Sequence, residues 1–275
     1  MAKDSRIEWT HHTFNPWWGC VKVSPACRHC YAESWARRFG MDLWGRSGLR
    51  RSVSDDYWRQ PLKWDKEAQR SGERRRVFCA SMADVFEGRA DLHAWRERLW
   101  PLIEKTPHLD WLLLTKRPQN VERMVPWTKE WPPNVWLGTT AENQKCADSR
   151  VPKLLAARAR VHFISAEPLL GPVTFRKWVG IDWVIAGGES GHGARPTDPE
   201  WVRSLRDECK EFGIAFHFKQ WGHWSPSVPK GVSARQHERL PTETKLSSKL
   251  YAVGKAAAGR SLDGRTWDEF PQPAL

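Results

Sequence analysis

The 275-residue chain carries 44 lysines and arginines against 32 acidic residues, a net charge of +12, with 40% hydrophobic and 12% aromatic residues. This length permits one large domain, the aromatic content excludes general disorder, and apolar runs such as 111–114 fall far short of the roughly 18 residues a membrane helix needs. The first ten residues contain no leader-like apolar stretch, so a cytoplasmic protein is expected.

In chain order, a weak strand at 7–10 precedes a cysteine-containing loop and a helix at 28–39. A basic insertion at about 40–76 follows, containing WGRSGLRR and SGERRR. Apolar or β-branched runs then predict strands at 77–84, 110–117, 134–141, 160–167, 182–188 and 214–220. Helices are predicted between them at 91–105, where Pro101 should kink or split the helix, and at 144–157 and 199–212. A short helix should open at Pro118.

This alternation predicts an α/β fold: a full or partial (β/α) TIM-type barrel of six to seven βα units over residues 1–221. A C-terminal extension, 222–275, packs on it as a loop, lid or docking arm. A doubly wound open sheet is the structural alternative.

The strongest chemical signal is Cys20-x6-Cys27-x2-Cys30. Thiolate is a soft ligand suited to iron–sulfur clusters and to zinc. Three thiolates can hold three irons of a [4Fe–4S] cube and leave the fourth open. A structural zinc completed by His29, His11 or His12 is the second reading, and an accidental grouping of thiols the third. Cys79, in a strand, and Cys146 and Cys209, on helices, read as packing residues.

The first strand, the three-cysteine loop, the adjacent aromatic and the βα alternation together resemble the radical S-adenosylmethionine (SAM) superfamily. More closely, IEWTHHTFNPWWGCVKVSPACRHCYAE, SAEPLLGPV, VIAGGESG and LDGRTWDEFP are similar to a phage-encoded and bacterial radical-SAM-like family of undefined function. Its first cysteine gap of six departs from the superfamily's usual three. The resemblance implies a [4Fe–4S] cluster on Cys20, Cys27 and Cys30, SAM as cofactor, a reducing electron donor, and a 5′-deoxyadenosyl radical that abstracts hydrogen from a substrate.

Barrel enzymes place their sites at strand C-terminal ends. A SAM pocket is therefore expected around Ser81, Asp84, Thr139 and Glu142, with Gly187, Gly188 and Glu189 on the same rim. Ser81 and Asp84 stand where the superfamily holds the SAM amino group. Lys116, Arg117, Glu167, Lys219 and Gln220 fill the other strand ends as candidate substrate contacts, with pairing of Lys116 or Lys219 to Glu167 as the plainer alternative. The positive charge, the 19 tryptophans and a distant likeness to the spore photoproduct lyases favour a nucleic acid or nucleotide substrate. Arg50, Arg51, Arg74, Arg75 and Arg76 are the expected phosphate contacts. The rivals are a non-catalytic nucleic-acid-binding protein with a structural cluster or zinc, and an iron–sulfur enzyme without SAM.

Overall fold

A computed structural model describes residues 3–233, 235–237 and 246–272. Part of the expected lid or docking arm, 234 and 238–245, lies outside the described residues, as do 1–2 and 273–275.

Seven strands follow one another: β1 (His12–Thr13), β2 (Arg75–Cys79), β3 (Leu109–Thr115), β4 (Val135–Thr140), β5 (Val161–Ala166), β6 (Trp183–Gly187) and β7 (Ala215–Gln220). The sheet order repeats the chain order, β1 through β7. A doubly wound sheet would reverse its strand order at a switch point, so that alternative is excluded. The full barrel is not observed either: among the described residues β1 and β7 end the order instead of pairing. The partial form of the expected βα alternation is what the chain adopts.

The chain divides into two compact units, residues 1–24, 32–139 and 153–162 in one and 25–31, 140–152 and 163–275 in the other. In the first, β1–β2, β2–β3 and β3–β4 pair in parallel. The intervening helices are α1 (Tyr31–Arg38), α2 (Gln60–Ser71) and α3 (His93–Glu104). Strand β3, LDWLLLT, is almost wholly buried, as expected for a parallel strand covered on both faces. Phe14, Trp17, Trp64, Trp100 and Trp111 are fully buried, so much of the tryptophan content is core.

Two expectations are corrected here, and the basic insertion acquires a helix. The first strand lies at 12–13 rather than 7–10, because Thr10 Oγ1 and His11 N both bond to the Arg76 carbonyl and register the following residues on β2. The basic insertion contains a helix, α2, opened by Pro61 and burying Trp64, Asp65 and Ala68. Helix α3 continues through Pro101 without splitting; the proline forgoes only the bond its missing N–H would have made to the Glu97 carbonyl.

In the second unit, β5–β6 and β6–β7 pair in parallel. Helix α4 (Gln144–Leu155) starts behind Asn143, whose Oδ1 accepts from Cys146 N at 3.0 Å. Helix α5 (Pro199–Phe212) is capped by Asp198. The tail covers the outer edge of β7: Phe218 N donates to the Trp267 carbonyl and Glu269 N to that of Phe216, at 2.9 and 3.2 Å. Pairing an otherwise open edge protects it from strand addition. The segments 224–225, 235–237 and 250–252 form a small antiparallel sheet.

Candidate functional site

In the first unit, Cys20 opens the cysteine loop beside the C-terminal end of β2. Gly19 N donates to the Met82 carbonyl and Gly45 N to the Cys20 carbonyl, each at 3.0 Å. Gly19 has φ +110, and a Cβ there would meet Leu43 O at 2.4 Å, so the close approach of segment 43–48 requires glycine. That segment is closed by Arg50, fully buried against Glu87 at 2.6 Å and donating to the carbonyls of Leu43 and Gly48.

Asp84 is saturated. It accepts from Thr115 Oγ1 at 2.7 Å, Phe86 N at 3.0 Å, Lys116 N at 3.1 Å and Arg117 Nη1 at 2.7 Å. Arg117 in turn donates to the Val21 carbonyl at 2.7 Å and reaches Cys20 Sγ at 3.7 Å. Burial and the Asp84 charge push the Cys20 thiol up to about 12, with Arg117 opposing them. Arg117, expected to touch substrate, thus grips the loop, and Asp84, expected at the SAM amino group, anchors Arg117. Asn15 holds Met82 N at 2.7 Å and bonds Ser81 Oγ. Thr139 is buried, its hydroxyl bonded to the Thr115 carbonyl at 2.8 Å. Lys116 is half-exposed.

In the second unit, the rest of the loop is held by two carboxylates at strand ends. Glu142, fully buried, accepts from Ala26 N at 3.3 Å and from Arg150 at 2.7 Å. Glu189 accepts from Arg195 N and Nε, each at 2.8 Å, and lies 3.2 Å from His29 Nδ1. Arg195 also donates to the Pro25 carbonyl at 3.0 Å. Burial opposes ionisation of Glu189, but the Arg195 hydrogen bonds and charge outweigh it and hold the carboxyl below its usual value. Cys27 ends a short turn of helix at Pro25–Cys27, and Cys30 directly precedes α1.

Gly187 and Gly188 were expected to admit a ligand. A Cβ on Gly188 would lie 1.9 Å from Trp221 O, so the close approach is that of the chain leaving β7. Glu167 pairs with Lys219 at 2.7 Å and accepts from Gln220 at 3.3 Å, the plainer of the two sequence readings. His11 and His12, weighed as zinc ligands, are engaged elsewhere: His11 Nδ1 accepts from Arg76 N at 2.8 Å, and His12 stacks on Trp64 at 4.6 Å.

The expected phosphate contacts are also mostly committed to the fold. Arg74 pairs with Asp110, Arg75 with Glu73, and Arg76 donates to the Trp9 carbonyl. They sit at the N-terminal start of β2, whereas Cys20 lies at its other end.

Sequence reasoning missed Asn15, Glu87, Arg150 and Arg195 and gave Arg50 another role. Asn15, Arg50 and Glu87 act through partners distant in sequence, whereas Arg150 and Arg195 pair with Glu142 and Glu189 only eight and six residues away, a spacing no motif marks. Among the described residues, no group of three or more His, Cys, Asp or Glu side chains is gathered as a metal-binding set. No helix among them is long and apolar enough to cross a membrane.

The class defined so far is a parallel βα protein whose three-cysteine loop, between its first strand and first helix, is gripped by buried arginine–carboxylate pairs. The chain belongs to the family described as protein of unknown function (DUF5131), which matches residues 4–271. No curated protein matches it. Among solved structures, it is similar to a spore photoproduct lyase mutant with bound AdoMet and dinucleoside spore photoproduct, at 11% identity over 92% of this chain and 71% of that one, TM-score 0.48. A second mutant of that lyase gives 12% and 0.48 over the same shares. The lyase complexed with dinucleoside spore photoproduct gives 11% and 0.47, again over 92% and 71%. At these values the likenesses assign no activity to this chain.

Proposed function

We propose that this chain is a radical-SAM-type iron–sulfur enzyme acting on a nucleic acid or nucleotide in a reducing compartment, with a [4Fe–4S] cluster on Cys20, Cys27 and Cys30. The observation that carries the reading is the position of three thiols within eleven residues, between the first strand and first helix of a sequential parallel βα sheet. The donor type fits, since thiolates are soft ligands; around Cys20 the Arg117 guanidinium favours the anionic form while burial and the Asp84 charge oppose it and prevail. When bound, cluster and SAM supply one-electron cleavage of a sulfonium C–S bond and hydrogen abstraction from a substrate.

The chain's own residues orient the loop. Arg117 fixes Val21 beside Cys20, Arg195 fixes Pro25, and Glu189 lies against His29 between Cys27 and Cys30. Lys116 remains the strand-end cation offered to an anionic substrate. A separate electron donor supplies the reducing equivalent.

One observation favours a second reading, an iron–sulfur protein that does not use SAM. Asp84, Glu142 and Glu189, the carboxylates expected to cradle SAM, are bonded to the protein itself. Calorimetry on iron-replete protein separates the two. Stoichiometric SAM binding, lost on cluster removal, supports the first reading; no heat of binding with a full complement of iron and sulfide leaves the second.

A further inference from the structure

We propose that Trp18, Trp35, Phe39 and Arg51 form a stacking surface for the unpaired bases of single-stranded nucleic acid. This deepens the substrate part of the reading above. The surface stands wholly within the first compact unit.

The segment Trp17–Trp18 pairs antiparallel with Arg51–Ser52, so Trp18 lies opposite Arg51. Trp17 is fully buried, whereas Trp18 is half-exposed. The Arg51 guanidinium lies 4.9 Å from the Trp18 ring centroid, held there by the Met41 sulfur at 2.9 Å. Trp18 meets Trp35 edge-on at 5.2 Å, and Trp35 meets Phe39 at 4.6 Å. Helix α1 buries Ala32, Glu33 and Ala36 and leaves Trp35, beside that buried stripe, half-exposed, while Phe39, in the turn that directly follows the helix, is 64% exposed. Core packing does not explain large rings left outside while alanines fill the inner face.

The surroundings select the partner. Lys22 and Arg37 both pair with Glu33, at 2.6 and 2.7 Å, and Arg38, next to Phe39 in the chain, and Arg51 are exposed. A second copy of this chain would set those cations against themselves. A single strand instead brings phosphates to the cations and flat bases to the rings, the combination by which such strands are bound without sequence preference. The strip begins two residues before Cys20, beside the end of β2.

The test is fluorescence anisotropy with a labelled oligothymidylate at low salt, on full-length protein of measured iron content. Phe39→Ala and Arg51→Ala should each weaken binding about tenfold, and Phe39→Trp should retain it. Both side chains are exposed, so circular dichroism should match the parent. Unchanged affinity in both alanine variants overturns the proposal. So does a lack of binding by the parent at low salt; self-association that Phe39→Ala abolishes would then assign the surface to a second copy. A protein still colourless after anaerobic reconstitution that binds through Phe39 contradicts the cofactor reading alone; an iron-replete protein indifferent to both substitutions contradicts the surface alone.

Discussion

Arg117 joins the first half of the cysteine loop to the end of β3, and its partner Asp84 is as buried as it is. Removing one member of a buried ion pair leaves the other uncompensated, which costs about 3–5 kcal/mol. Arg117→Ala should therefore lower unfolding free energy by about that amount in urea titration, through the stranded Asp84 carboxylate. Arg117→Ala with Asp84→Asn should recover part of the loss. A near-neutral Arg117→Ala would show that the pair does not hold the loop. The three-cysteine loop stands out in the sequence as a motif because its signal is local spacing. The role of Arg117 was not: its position at a strand end was readable, but its choice of Asp84 and Val21 over a ligand depends on partners 33 and 96 residues away.

At the scale of elements, the core strands and most helices were legible because buried parallel strands are continuous apolar runs and the helices carry period and caps. Helix α2 was hidden by its charge: Lys63, Lys66, Glu67 and Arg70 dilute a narrow buried stripe. Strand β1 was displaced because its two residues, His12 and Thr13, have no apolar pattern, and side-chain bonds set its register. One of those bonds makes the pairing pH-sensitive. His11 Nδ1 accepts from Arg76 N, and burial, then the charges of Arg76 and Arg75, lower its pKa from 6.5 to about 4. The unfolded chain takes up this proton near the ordinary value and the folded chain only near the lowered one. Stability is therefore present above 6.5 and is lost as pH falls through the window to about 4. His11→Gln keeps an acceptor and removes the titration. Its urea midpoint should fall less steeply than the parent's across that window; parallel profiles would contradict the assignment.

For the molecule as a whole, the charge of +12 is the sequence's argument for a polyanionic partner, and it carries no information about which surface would meet one. Long-range electrostatics is a property of the sum, whereas contact depends on which cations the fold leaves unengaged. Arg50 and Arg74 are drawn into pairs with Glu87 and Asp110, and Arg76 into the start of β2, so the sequence-level basic patch is partly dissolved by folding. The exposed cations around Trp18 and α1 remain on the side of β2 where the cysteine loop begins. The βα rhythm was readable, while closure of the barrel was not, since strand spacing is the same in an open and a closed series.

The central claim is the cluster, and the most direct measurement is iron and acid-labile sulfide content after anaerobic reconstitution of full-length protein and of Cys20→Ala, Cys27→Ala and Cys30→Ala variants. About four irons and four sulfides per chain with a brown chromophore are expected in the parent, and loss of both in each variant that retains the parent's circular dichroism. Stoichiometric zinc without iron in the parent, or undiminished iron in the folded variants, would contradict it.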